Sequence, residues 1–135
     1  MFGLLSKPRS TPAVAGKELL PTALRAAVDW LLKTQLADGG WGGGHAAERS
    51  SVEETALAVE ALAGLVGQHG GVETEAALAK GVQWLIGRVE AGSWMQPTPI
   101  GFYFAKLWYY ERLYPLIFTV GALGRAASTW RLLRK

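Results

Sequence analysis

Apolar residues recur at intervals of three and four along most of the chain, which is the spacing of helices that bury one face. The first run predicts a helix that begins at Pro21, because proline is tolerated in the first helical turn. Similar runs predict helices over 51–64 and 73–88, and a last helix over 102–127 that Pro115 kinks or interrupts. Since no segment shows sustained alternation, the sequence predicts an all-α fold.

Local signals support the start of the second helix. Ser51 is followed three residues later by Glu54, the spacing of a capping box that satisfies free backbone N–H groups. This is a sufficient structural role for Glu54, and a catalytic carboxylate is the alternative.

Proline and glycine divide the chain into three parts. Residues 1–20 contain Pro8, Pro12 and Gly16 and are expected to be a poorly ordered lead-in. Residues 21–127 form the predicted helical domain, and 128–135 form a basic tail.

One segment of the chain occurs twice. Its first copy contains Arg25, Ala26, Trp30, Leu31, Gln35, Gly39 and Trp41, and its second contains Lys80, Gly81, Trp84, Leu85, Val89, Gly92 and Trp94. Trp30 and Trp84 are 54 positions apart, and Trp41 and Trp94 are 53 apart. Such a period indicates stacked helical units, none of which can bury its apolar face alone.

Composition limits the classes of function. The 135 residues are 50% hydrophobic and 19% charged, which suits one folded domain and excludes a disordered chain. The absence of cysteine excludes disulfides, thiolate metal ligands and a cysteine nucleophile. It also fits a reducing compartment, so we expect a cytoplasmic location, with peripheral contact to a membrane as a further expectation.

The basic residues cluster at the C-terminus, at Arg125, Arg131, Arg134 and Lys135. A solvated helix end explains them, and an anionic membrane surface is the sharper alternative. We expect no nucleic-acid partner, because aromatic residues are not interleaved with these charges apart from Trp130. The most apolar stretch, 113–123, is too short to span a bilayer.

Metal and cofactor sites are not predicted. His45 and His69 each lie in a glycine loop without a second ligand at useful spacing. The glycine-rich run 39–44 lacks the Lys-Ser/Thr pair of a phosphate-binding loop and is expected to be a tight turn.

The repeated segment resembles the QW motif of the terpenoid cyclase family: a basic and a small residue, an aromatic–aliphatic pair, Gln, then Gly-x-Trp. The first copy is complete, whereas Val89 replaces Gln in the second. The predicted role is structural, in which the Gln side chain caps backbone groups at a neighbouring helix end and stacks on the Trp ring. The structural set is Gln35, Gly39, Trp41, Gly92 and Trp94.

The last third is similar to the C-terminal end of squalene–hopene cyclases, through a Gly-Phe-Tyr segment at 101–103, an aromatic-rich stretch and a closing Leu-Gly-Arg at 123–125. Here Glu111-Arg112 and Tyr114-Pro115 replace the commoner Tyr-Arg and Phe-Pro pairs. The resemblance extends over about 24–127.

This resemblance implies an α/α toroid, whose inner helices surround a cavity that binds a polyprene such as squalene. In the family an Asp-x-Asp-Asp aspartic acid protonates the substrate, aromatic faces stabilise the resulting carbocations, and the enzymes dock on membranes. It implies that Tyr103, Leu107 and Tyr110 on one face of the last helix, with Phe104 and Trp108 on an adjacent face, line the cavity. Ordinary core packing is the alternative for each.

The chain departs from the family in its acid. Its two aspartates, Asp29 and Asp38, do not lie in an Asp-x-Asp-Asp run, so no catalytic residue is predicted. Protein prenyltransferase β-subunits share the toroid, but their zinc site requires cysteine. Two hairpins leave the barrel incomplete, which predicts a C-terminal fragment or relative of a squalene or terpene cyclase that is inactive alone. An upstream cyclase half or self-association would complete it; the alternative is a non-enzymatic module that binds a partner through its open apolar face.

Overall fold

The computed structural model describes residues 13–43, 48–66, 71–102 and 107–134, and at 13–20, 100–102 and 107–108 it describes the backbone only. The elements are helix α1 (Ala13–Thr34), helix α2 (Val52–Leu65), helix α3 (Val72–Glu90), strands β1 (Pro99–Phe102) and β2 (Leu107–Tyr110), and helix α4 (Tyr114–Leu133). Apart from one short β-hairpin, these elements are helices, which confirms the predicted all-α class.

Helix α1 begins at Ala13, so the prediction of a start at Pro21 was wrong. Pro21 lies inside the helix and removes one backbone hydrogen bond there. The residues before it include Ala13, Ala15, Glu18 and Leu19, which favour helix and outweigh the loss of one bond.

Helix α2 begins where the capping box predicted. Ser51 has an extended backbone, and its Oγ accepts a hydrogen bond from the Glu54 N–H at 3.2 Å. The Ser51 hydroxyl donates to Glu54 Oε2 at 2.8 Å, while the Ser51 N–H donates to the carbonyl of Trp41 at 2.9 Å. The Ser51 N–H bond therefore joins the helix start to the preceding turn, in place of the usual bond to the Glu carboxylate.

Helix α3 was predicted to within two residues at each end. The prediction of a last helix over 102–127 was wrong, because its first part forms two strands. Strands β1 and β2 form an antiparallel hairpin in which Pro99 pairs with Tyr110 and Phe102 with Leu107. Helix α4 begins only at Tyr114, with Pro115 in its first turn. Proline costs little there, because the first N–H groups of a helix have no intrahelical acceptor.

The core is built around α2, which packs mainly against α4 and α3. Val59 and Leu62 of α2 and Leu78 and Leu85 of α3 are completely buried. The Thr129 hydroxyl of α4 donates to the carbonyl of Ala63 at 2.9 Å, which adds a polar link between the two helices. This arrangement leaves α1 at one side of the unit, in contact mainly with α3.

Among the described residues, helices of sufficient length and apolarity to cross a membrane are absent.

Candidate functional site

The first Gly-x-Trp turn connects α1 to α3 through Gln35. Its Nε2 donates to the carbonyl of Gly39 and to the carbonyl of Ala77, both at 2.9 Å. Because Ala77 lies within α3, the expectation that Gln35 caps a helix end was wrong in this detail. A carbonyl has two lone pairs, so Ala77 accepts this bond in addition to any helical one. One amide group therefore closes its own turn and holds the next unit.

Trp41 is the buried centre of the same turn. Its side chain is 2% exposed, and its indole N–H donates to the carbonyl of Leu31 at 2.8 Å. Its backbone N–H donates to Thr55 Oγ1 at 2.9 Å. A Cβ added at Gly81 would lie 2.7 Å from Cζ3 of this ring, so the small residue of the second copy is where the tryptophan of the first copy packs.

Gly39 must be glycine for two reasons. Its φ of 93° lies in the left-handed region, where a side chain is strained. A Cβ there would also lie 3.1 Å from the carbonyl oxygen of Lys80 in α3. The turn thus approaches α3 through backbone atoms.

Asp38 makes a further connection between the copies. Its carboxylate accepts hydrogen bonds from the Ser50 hydroxyl at 2.6 Å, the Gly40 N–H at 3.1 Å and the Trp84 indole N–H at 2.9 Å. The Arg88 guanidinium stacks over the Trp84 ring at 4.6 Å. The sequence identifies Asp38 only as an aspartate outside an Asp-x-Asp-Asp run, and the bond to Trp84 was missed because nothing in the local sequence indicates which distant donor faces it.

The environment of Asp38 lowers its pKa. Burial acts to raise the pKa, but the hydrogen bonds from Ser50, Gly40 and Trp84, together with the charge of Arg88, outweigh it and bring the pKa below its ordinary value of 3.8. A carboxyl with a lowered folded-state pKa stabilises the fold above its unfolded-state pKa, and this contribution is lost as pH falls through the folded-state value.

We therefore expect Asp38→Asn to lower the free energy of unfolding at pH 7 and to weaken its decline below about pH 4. Urea unfolding at pH 7 and at pH 3 measures both effects. Asp29→Asn, at an exposed position of α1, is the matched control for the substitution and should lower the free energy of unfolding at pH 7 less than Asp38→Asn does. Equal acid dependence in the parent and in Asp38→Asn would contradict the assignment.

The second Gly-x-Trp turn also has a left-handed glycine, but its surroundings differ. Gly92 has a φ of 69°, and a Cβ there would meet no described atom within 4 Å. Val89, at the position of the motif's Gln, is exposed, and Trp94 is only half-buried. The first turn is thus an interface between helical units, whereas the second is a local turn in the part of the chain that the structure describes.

The predicted cavity residues are not arranged as expected. Tyr103 and Phe104 lie outside the described residues, as do His45 and His69. Leu107, Trp108 and Tyr110 lie on strand β2, so the prediction of shared helical faces was wrong. Extended, aromatic-rich segments favour strands, and Pro115 confines α4 to the residues that follow. Their role in a cavity stays a prediction.

Helix α4 instead presents an exposed apolar face, which we call the α4 stripe. It consists of Leu113, at the N-cap, and Leu116, Ile117 and Val120, whose exposed fractions are 57, 37, 56 and 63%. Their spacing of three and four residues was visible in the sequence within the run 113–123. That spacing does not tell which face is covered; the structure shows that Thr119, Ala122 and Ala126 are buried instead.

Within the described ranges, clusters of three or more side chains able to hold a metal ion are absent.

Comparison with known families agrees with this architecture. The model of the squalene-hopene cyclase C-terminal domain matches residues 9–128, which is most of the chain. Neither a curated protein nor a solved structure shows a significant match. The helical units agree with the α/α-toroid fragment that the sequence predicted. With its repeated turn and its all-helical core, the chain belongs to the family of the squalene-hopene cyclase C-terminal domain.

Proposed function

We propose that the chain forms the C-terminal wall of a polyprene-binding cavity of the cyclase type, and that the proton donor for cyclisation belongs to another polypeptide segment. The observation that carries the proposal is the exposed α4 stripe, in a chain whose family acts on polyprenes. Isolated apolar side chains on a surface need no explanation, but a continuous face on one helix favours a binding role.

The chemistry of the α4 stripe suits a hydrocarbon ligand. Its side chains are aliphatic and gain about 25 cal/mol for each Å² that a ligand removes from water. Tyr114 and Phe118 contact each other at the same end of α4, with ring centroids 5.0 Å apart and ring planes tilted by 35°. Aromatic faces attract cations, so such a pair beside an apolar wall suits a ligand on which positive charge develops.

Two carboxylates that accept several hydrogen bonds, Asp38 and Glu53, do not suit the role of the cyclase acid. Asp38 has a lowered pKa and is ionised near neutral pH, so it is a poor proton donor. Glu53 is buried, but its two oxygens accept hydrogen bonds from the N–H and hydroxyl of Thr98, both at 2.8 Å. These bonds hold the segment before β1 against the start of α2, which gives Glu53 a structural role. Since the sequence also contains no Asp-x-Asp-Asp run, we expect the acid from a partner segment.

The test is photolabelling of the full chain with a benzophenone-bearing polyprenol, followed by peptide mapping. We expect the label in peptides covering 99–120, and excess squalene should compete with it. The extent of labelling should be at least fivefold lower in the Ile117→Glu variant. Val72→Glu, at an exposed apolar position on α3, is the matched control and should label normally. Incubation of the chain alone with squalene should give no cyclised product.

Four outcomes would contradict the proposal. Labelling that is spread evenly over the chain, or that squalene does not reduce, would exclude the α4 stripe as a cavity wall. If plain phospholipid vesicles compete with the photolabel and abolish labelling, the stripe would be a membrane-docking surface instead. Cyclised product from the chain alone would show that it carries its own acid.

A second candidate, a non-enzymatic module that binds a protein partner, is favoured by the same exposed stripe. It predicts no competition by squalene and a discrete complex in size-exclusion chromatography with light scattering. Ile117→Glu should then abolish the complex, whereas Val72→Glu should not.

A further inference from the structure

The two copies of the repeat provide a comparison within the molecule. A shift of 54 residues places α1 on α3, with the same residue at five positions of the shared face. These pairs are Ala23 and Ala77, Leu24 and Leu78, Val28 and Val82, Trp30 and Trp84, and Leu31 and Leu85. The two helices therefore offer the same apolar surface to their surroundings.

On α3 this surface is covered. The first turn places Gln35 on the carbonyl of Ala77 and the ring of Trp41 against Gly81. The apolar positions Ala77, Leu78, Val82 and Leu85 are at most 5% exposed.

On α1 the equivalent surface is open in the described part of the molecule. Ala23 and Ala27 are exposed, and Leu24, Val28 and Leu31 are only half-buried. Beside it lies a groove of about 500 Å³ between α1 and α2, whose apolar lining includes Leu24, Leu57, Ala61 and Leu65. Glu60 and Arg125 are the charged side chains of this groove.

We infer that the open face of α1 binds a helical hairpin with a complete Gln and Gly-x-Trp turn, supplied by another polypeptide segment, in the way that α3 binds the first turn. The Gln amide of that hairpin donates to the carbonyl of Ala23, its Trp ring lies against Ala27, and its second helix fills the groove. The inference rests on the proposed function only in requiring a second segment that completes the fold, and it does not depend on the lipid.

A second copy of this chain does not fit as the occupant. Its first turn already contacts its own α3 through Gln35 and Trp41. Its second turn has Val89 where the amide donor is required, so it cannot make the bond to a backbone carbonyl. The partner must therefore bring a complete turn of its own.

One difference sets the closeness of the contact. At the shift of 54 residues that aligns the two helices, the position equivalent to Gly81 is Ala27, one residue after the motif's small residue Ala26. A Cβ at Gly81 would lie 2.7 Å from the Trp41 ring. Carbon atoms in contact prefer separations of about 3.5–4.0 Å. The ring of the incoming turn therefore lies about 1 Å farther from α1 than Trp41 lies from α3.

The experiment adds the missing contact to the chain itself. A tandem chain of residues 1–71 followed by residues 18–135 duplicates 54 residues and keeps the period of the repeat. Its first turn faces the α1 of the second unit, which is intact from Glu18 onward. We expect one cooperative urea transition with a larger denaturant dependence than that of the parent, because more surface is buried in the same unit.

Ala27→Glu identifies the covered face. In the α1 of the second unit it should lower the urea midpoint by about 0.5 M or more. The same substitution in the α1 of the first unit, or in the parent chain, leaves the face open to water and should shift the midpoint little. Gln35→Val in the first turn of the tandem chain should lower the midpoint about as much as Gln35→Val does in the parent.

Several results would overturn the inference. If the added turn did not bind α1, the tandem chain would unfold in two separate transitions, or Ala27→Glu would lower the urea midpoint equally in both units. A concentration-dependent dimer of the parent that Ala27→Glu dissociates would make a second copy the occupant. Since lipid is absent from these measurements, their failure is distinct from a failure of the polyprene proposal.

Discussion

Trp41→Ala is expected to lower the free energy of unfolding by about 3–5 kcal/mol, the cost of removing a large buried aromatic side chain. The ring is 2% exposed and lies against Gly81 and the core of α2 and α3. The substitution leaves a cavity between two helical units and also deprives the carbonyl of Leu31 of its indole donor. Since a domain of this size is stabilised by about 5–15 kcal/mol, such a loss is a large share of the total.

Urea unfolding at pH 7, followed by circular dichroism, measures the loss. Trp94→Ala is the matched control, since this tryptophan stands at the same place in the second copy but is only half-buried. We expect its cost to be less than half that of Trp41→Ala. Equal costs would show that the first turn is not the interface between the units.

The elements predicted from local sequence are those whose boundaries are set by local chemistry. Helix α2 was predicted because Ser51 and Glu54 fix its first turn. Helix α3 was predicted because its apolar spacing continues without interruption to a glycine-containing turn at Gly92. In both cases the residues that decide the boundary lie within a few positions of it.

The elements that were missed depend on distant contacts. The hairpin of β1 and β2 forms because residues of the two strands pair, and neither strand has an alternating pattern of its own. Pro21 shows the opposite case, in which a local helix breaker is overridden within α1. The covered face of α4 likewise depends on where α2 lies, so the α4 stripe could not be separated from core by spacing alone.

The candidate site was predicted as a set of residues but not as a set of contacts. The motif identified Gln35, Gly39 and Trp41 as structural, and each of them contacts α3. The acceptor of the Gln35 amide, the carbonyl of Ala77, belongs to the backbone and has no sequence signature. The bond from Trp84 to Asp38 is similar, because it depends on how the two copies are placed relative to each other.

The difference between the two turns leads to a second large effect, which a pair of glycine substitutions measures. Gly39→Ala should lower the free energy of unfolding by about 2–5 kcal/mol, from a left-handed backbone cost of about 1–2 kcal/mol and a steric cost of about 1–3 kcal/mol. The steric part arises because the added Cβ would lie 3.1 Å from the carbonyl oxygen of Lys80 and 3.3 Å from its Cβ.

Gly92→Ala separates these two costs, because Gly92 is also left-handed but a Cβ there would meet no described atom within 4 Å. It should therefore lose only the backbone part, about 1–2 kcal/mol. Urea unfolding of the two variants gives the steric part as their difference. A difference near zero would mean that the first turn is not in tight contact with α3. The inference that a partner's turn binds α1 in the same way would then lose its structural basis. A clearly larger loss of free energy of unfolding for Gly39→Ala would instead show that the first turn packs tightly against α3, as a complete turn from a partner is expected to pack against α1.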